Sequence, residues 1–274
     1  MRLWGLLAWF CEDPADLRRA VLSYAPLVNG IVAVDGDMQI AKAAREAYFA
    51  NYWKFIDKHP FLQLHVGEGA DGVNSPLSQV RAIEDACEEA GLECIIIRPD
   101  TIWQGETDKL NFCFNIMHEY CDWFTYIHAD FELDNDTTNV ADVCKELAAL
   151  KNTNVVWAKE WAVDNPKEKK TSRQDIKAGQ EGLSPLFIRA SPYLSVKKRH
   201  WYWFYTPPVG QRLCLTKRLI GSEKIKGYRY ESEYRLKAPF RVKHWVLWQD
   251  KLRMRFKHEY LRVKNSQFHE TGID

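Results

Sequence analysis

Ile31-Val32-Ala33-Val34-Asp35-Gly36-Asp37 decides how the chain is read. A short β-branched run of this kind suits a strand buried on both faces, and it stops where Gly36 permits the tight turn that ends such a strand. Working backwards, Leu3 to Phe10 reads as an earlier strand, and Asp13-Pro14 supplies a helix start. Between Ala15 and Tyr24 the residues Leu17, Ala20, Val21 and Tyr24 share one helical face. Strand, helix and strand make a βαβ unit. Working forwards, residues 40 to 58 read as helical and residues 66 to 76 as a loop rich in Gly and Asp. Ser78 to Ala90 reads as a helix closed by Gly91, and Glu93 to Arg98 as a strand ended by Pro99. Lys109 to Tyr120 fits a helix, and Trp123 to His128 a strand that runs into Ala129-Asp130.

This alternation predicts an α/β fold with a doubly wound, mostly parallel sheet of the Rossmann-like kind. Ligands of such sheets sit beyond the carboxyl ends of the strands. Asp35-Gly36-Asp37 and His128-Ala129-Asp130 fall at those ends, and acidic strand ends suit a site that holds a metal and a nucleotide. After residue 150 the pattern loosens. Lys167 to Gly182 reads as a mobile surface loop and Thr206-Pro207-Pro208 as a turn.

Composition bounds the problem further. A chain of 274 residues with 46% hydrophobic residues is long enough for one sizeable core, and a single domain over residues 1 to 274 is expected. Met1 to Phe10 is too short for a membrane span and is followed at once by Glu12, Asp13 and Asp16, so no transmembrane segment is expected. The seven cysteines form an odd set without C-x-x-C spacing, which argues against a disulfide framework and a structural zinc, and points to the cytoplasm. The net charge of +1 conceals an asymmetry: Arg189 to Lys264 carries about 20 Lys and Arg against about 5 Asp and Glu. Aromatic residues are interleaved with that charge in His200-Trp201-Tyr202-Trp203-Phe204-Tyr205 and in His244-Trp245-Val246-Leu247-Trp248. Stacking surfaces beside cations imply a polyanionic partner; a solvated basic face with a few core tryptophans is the alternative.

Gln104-Gly105-Glu106-Thr107-Asp108-Lys109-Leu110-Asn111, followed by Asp122-Trp123-Phe124-Thr125-Tyr126-Ile127-His128-Ala129-Asp130-Phe131-Glu132, resembles the family 2 and related GT-A glycosyltransferases. There a Lys-x-Asn helix start precedes an apolar strand that enters an Asp-x-Asp motif. The resemblance extends back over Leu6 to Asp37 and covers about the first 135 residues. It implies a GT-A fold with a nucleotide-sugar-binding half over residues 1 to 135 and an acceptor half over residues 136 to 274. It also implies a nucleotide-sugar donor, with a UDP-sugar as the first expectation, and Mn²⁺ or Mg²⁺ held by Asp130. Asp35 and Asp37 would lie at the nucleotide, Lys109 at a phosphate, Gln104 at a sugar hydroxyl, and Asn111 and His128 beside them. The chain departs from the pattern at His128, which replaces the first motif carboxylate with an imidazole that carries less negative charge.

By the same resemblance His244 is the expected late metal ligand, with His200 as runner-up. The acceptor surface is expected at His200, Trp201, Trp203, Arg253 and Lys257. An inverting transferase needs a carboxylate base, for which Glu231, Glu233, Asp250 and Asp164 are candidates that no local signature separates; a retaining one dispenses with it. The basic last third places DNA bearing hydroxymethylated bases ahead of a phosphorylated cell-envelope glycan as acceptor. A non-catalytic nucleic-acid-binding protein is the reading from another class. A nucleotidyltransferase is weakened because Trp9-Phe10-Cys11-Glu12-Asp13-Pro14 lacks the glycine and the base of a phosphate loop, and a serine hydrolase because no G-x-S-x-G occurs.

Overall fold

A computed structural model describes residues 1–58, 60–151, 153–163, 181–192, 194–196, 203–205, 213–214, 229–230 and 234–245. The chain begins with β1 (Leu3–Ala8), α1 (Pro14–Tyr24), β2 (Gly30–Val34) and α2 (Gln39–Tyr52), then a 3-10 segment (Trp53–Lys58) and the single turn α3 (Pro60–Gln63). There follow α4 (Leu77–Ala90), β3 (Glu93–Ile97), α5 (Glu106–Tyr120), β4 (Trp123–Ile127), β5 (Phe131–Leu133) and α6 (Val140–Ala149). The remainder carries β6 (Val155–Val163), β7 (Glu181–Arg189), β8 (Leu194–Val196), β9 (Trp203–Tyr205), β10 (Leu213–Cys214), β11 (Arg229–Tyr230), β12 (Tyr234–Arg235) and β13 (Arg241–Trp245).

Local chemistry explains the helix ends. Asp13 caps α1 by accepting from Ala15 N at 2.8 Å, with Pro14 in the first turn, where its missing N–H costs nothing. Gly91 closes α4 with φ +66°, and its N–H reaches the carbonyls of Cys87 and Glu88. α5 starts earlier than the apolar pattern predicts, at Glu106, because Glu106 and Asp108 place negative charge on its first turn. The helical stretch expected over residues 40 to 58 is divided between α2 and the 3-10 segment.

The main sheet has nine strands in the order β3-β2-β1-β4-β7-β6-β13-β5, with β12 also beside β6. β1, β2, β3 and β4 are mutually parallel; β7 runs against both β4 and β6, so β6 and the parallel β13 point the same way as the first four. β5 closes the far edge antiparallel to β13. The fold is thus mixed α/β around a mostly parallel sheet, as the alternation predicts. The loosening after residue 150 misleads, since β6, β7 and β13 extend the same sheet; β8 to β11 form a separate small one.

Two apolar layers cover the main sheet. Leu3, Leu7, Ile31, Ala33, Trp123 and Ile127 pack with Leu17 and Tyr24 of α1, Ile83 of α4 and Leu147 of α6. Trp4, Leu6, Val32, Val34 and Phe124 pack on the other face with Leu110, Phe114 and Met117 of α5. Strict alternation along β1 drives this division, because successive side chains leave opposite faces of a strand. Among the described residues no helix is long and apolar enough to cross a membrane.

Candidate active site at the carboxyl edge of the sheet

From β1 the chain passes through α1 to β2 and β3 on one side, then returns through α5 to β4 on the other. Strand order therefore reverses between β1 and β4, and doubly wound sheets bind ligands beyond the carboxyl ends of the strands at such a point. Two polar clusters flank it.

The first holds the loops after β1 and β2. Asp35 is fully buried and accepts from Gly36 N at 2.7 Å, Ser75 N at 2.9 Å and Ser75 Oγ at 2.6 Å. Ser75 Oγ in turn accepts from the N–H of Cys11, whose φ of +50° marks a sharp turn after β1. Asp37 is also fully buried and pairs with Arg45 Nη2 at 2.6 Å. Burial pushes both carboxyls up from their ordinary range, opposed by Ser75 and Gly36 at Asp35 and by Arg45 at Asp37. Lys109 points inward as well: its Nζ donates to Trp9 O at 2.7 Å and Gly36 O at 2.9 Å, tying the ends of β1 and β2 together. Burial lowers this ammonium to about 8, against the pull of Cys113, Asp35 and Asp37.

The side chains expected at the nucleotide, Asp35 and Asp37, and at a phosphate, Lys109, are thus engaged with partners inside the protein. The reason is desolvation: charged groups this deep are held by neighbours that satisfy them, and those neighbours occupy the atoms a ligand would use. The three side chains brace the loops after β1 and β2 from within. Gln104 is exposed in the loop before α5, and Asn111 is half-buried on that helix.

The second cluster lies between β4, β6 and β13. His128 is exposed, with its ring 4.4 Å from Tyr126 and 4.5 Å from Phe131, centroid to centroid. Asp130, just beyond β4, faces His244 of β13, with Oδ2 3.3 Å from Nε2. The register makes this meeting: β13 pairs with β5 so that His244 lies opposite Phe131, next in sequence to Asp130. The other ring nitrogen, Nδ1, is 2.6 Å from Oε1 of Glu160, and Ser184 Oγ donates to Oε2 of the same carboxylate. On β6, parallel to β13, Glu160 lies opposite Val242 and two residues before the partner of His244, so the two side chains share a face diagonally. Burial alone would depress the His244 imidazole, but hydrogen bonds and charge from Asp130 and Glu160 carry it up to about 9. Glu160 is buried, which raises its carboxyl, and the contacts with His244 and Ser184 bring it below its ordinary range.

Asp130 and His244, expected from the resemblance to share a metal, are thus brought together; Glu160 is absent from the sequence reading. Its signal lies in the alternation of β6, where Val156 and Ala158 face the apolar layer and a carboxylate follows at the next position of that face. Among the described residues no three His, Cys, Asp or Glu side chains converge as a metal cage. A carboxylate and an imidazole 3.3 Å apart still fit two positions of one divalent cation, since ions that bind phosphates commonly take one or two protein ligands and fill the rest with phosphate oxygens and water. Glu160 at the far nitrogen is the outer partner that such an imidazole ordinarily has.

Several expected residues lie outside the described ones: Glu231, Glu233, Asp250 and Asp164 as bases, and His200, Trp201, Arg253 and Lys257 at the acceptor. Most of Lys167 to Gly182 does too, although Glu181 and Gly182 open β7. Trp203 is placed by its backbone alone, as the first residue of β9. No family model matches the chain, and no curated protein is detectably similar to it.

Proposed function

We propose that the chain is a glycosyltransferase of the GT-A type that moves a sugar from a nucleotide-sugar, first of all a UDP-sugar, to an acceptor hydroxyl with the help of Mn²⁺ or Mg²⁺. The observation that carries the reading is the meeting of Asp130 and His244 at the carboxyl edge of the sheet, beside the reversal of strand order. A divalent cation bound there would offset the negative charge that builds on the departing diphosphate. Asp130 and the Nε2 of His244 would supply its protein ligands. Asp35, Asp37 and Lys109 hold the loops that would border the nucleoside, and His128 lies exposed with its ring in edge contact with Tyr126 and Phe131.

The acceptor is assigned to the basic, aromatic last third. Its charge favours a polyanion, and a hydroxymethylated base in DNA offers both the anion and the hydroxyl. The test is a thermal-shift panel of UDP-, GDP- and CMP-sugars with and without Mn²⁺, on the unmodified chain and on Asp130→Ala. A donor that raises Tm only with metal and only with Asp130 intact supports the reading. No response to any donor, with salt-sensitive binding of plain DNA, would replace it with a non-catalytic nucleic-acid binder.

A further inference from the structure

Glu160 occupies a position that packing alone would give to an apolar residue. Val156 and Ala158 precede it on the same face of β6 and are fully enclosed, and Glu160 itself is only 5% exposed. A carboxylate in such a place is costly unless each oxygen is satisfied. Both are: Oε1 by Nδ1 of His244 at 2.6 Å, Oε2 by the hydroxyl of Ser184. With Ser184 holding one oxygen, the carboxylate has a fixed rotation and presents the other to the ring. Phe131 packs against the imidazole with centroids 4.9 Å apart and planes at 65°, so the ring is also bounded from the side.

We infer that Glu160 is the positioning residue of this site, fixing the proton on Nδ1 of His244 so that Nε2 is delivered to Asp130 and to a divalent cation shared with it. This rests on the metal-assisted reading above. The two ring nitrogens point in different directions, so Glu160 on Nδ1 is not itself a ligand of a cation lying between Nε2 and Asp130. Its effect runs through the imidazole. Without it the ring is free to turn over about its last torsion, which is two-fold for histidine, and either nitrogen then faces Asp130. The low-dielectric surroundings strengthen the Glu160 to His244 hydrogen bond and so the orientation it imposes.

The experiment compares the full-length chain with Glu160→Ala, Glu160→Gln and Ser184→Ala, with His244→Ala as reference. Mn²⁺ alone is the probe, and free Mn²⁺ is read by electron paramagnetic resonance. Loss of an outer partner of this kind weakens metal binding about 10- to 100-fold, and that loss is expected for Glu160→Ala, with Glu160→Gln in between because its amide oxygen still accepts from Nδ1. In parallel, proton and ¹⁵N spectra of the imidazole are recorded in EDTA. The downfield Nδ1 proton should be present in the unmodified chain and in Glu160→Gln, and absent from Glu160→Ala. An unchanged Mn²⁺ affinity together with an unchanged imidazole spectrum in Glu160→Ala would overturn the assignment. If the unmodified chain takes up no Mn²⁺ either alone or with UDP, the metal-assisted reading fails, and the Nδ1 resonance alone then decides whether Glu160 orients His244. If Glu160→Ala does not fold, Ser184→Ala decides: a sharpened, undisplaced Nδ1 signal with full Mn²⁺ affinity counts against the role, and a weakened one of both supports it.

Discussion

The Nε2 atom of His244 lies 3.3 Å from Oδ2 of Asp130, a contact between a late strand and the loop after β4 that depends on β13 lying between β6 and β5. On the proposed reading this pair holds the cation, and its removal is the most direct test of that reading. Asp130→Ala and His244→Ala are each expected to abolish Mn²⁺-dependent stabilisation by a nucleotide-sugar and to reduce transfer by about 100-fold or more, in line with the loss of a group that stabilises developing charge. Thermal shift and a donor-consumption assay measure the two effects. Full metal-dependent activity in either variant would exclude the pair as metal ligands.

Lys109 should behave as a structural residue. Lys109→Met leaves the carbonyls of Trp9 and Gly36 without their donor, and a buried unsatisfied acceptor costs about 1–3 kcal/mol. The urea midpoint should therefore drop by the equivalent of about 2 kcal/mol or more. An unchanged midpoint with weakened nucleotide binding would instead mean that the ammonium reaches a phosphate.

Two histidines should give stability opposite dependences on pH. Burial, with Arg45 nearby, lowers His65 from 6.5 to about 3, so between those values the unfolded chain takes up a proton that the folded chain refuses. Stability then falls as pH falls from 6.5 towards 3, and His65→Phe, whose ring replaces one already edge-on to Phe49, should flatten that slope. His244 is raised to about 9, so its contribution is fully present below 6.5 and is lost as pH rises through 9. In EDTA, His244→Gln should remove the alkaline slope and leave the acid one. Urea unfolding at a series of pH values reads both.

Gly36 is required by its backbone. Its φ of +109° is one that residues with side chains rarely adopt, and a Cβ there would lie 2.6 Å from both Pro99 Cγ and Trp103 Nε1. Trp103 Nε1 donates to Asp35 O at 3.0 Å, so the clash falls on a hydrogen bond that closes the β2 loop. Gly36→Ala should cost about 2–3 kcal/mol, seen as a lower urea midpoint; a midpoint within error of the parent would show that the loop adapts.

The uneven legibility of the site follows from the range of the interactions involved. Asp130 and His244 are picked out by the resemblance, the first because it ends an apolar strand at the position of the family's motif, the second because it is a late histidine at the end of a strand-like run. Glu160 escapes because its meaning depends on β13 being its neighbour, and nothing within β6 names that neighbour. Asp35 at the end of β2 and Lys109 in the first turn of α5 stand where the local pattern puts them, yet their side chains turn inward to Ser75 and to two carbonyls from distant loops.

What the sequence by itself determined is the succession β1-α1-β2 through α5-β4, the two-sided burial of those strands and the acidic ends at Asp35 and Asp130. Each follows from periodicity or turn chemistry within a few residues, where propensity and side-chain alternation act directly. Only the tertiary structure decided that β6, β7 and β13 join the same sheet, that β13 pairs with β5 in the register that sets His244 beside Asp130, and that Glu160 lies behind the imidazole. Strand order and register are settled by which apolar faces bury against which, and that choice is made between segments far apart in the chain.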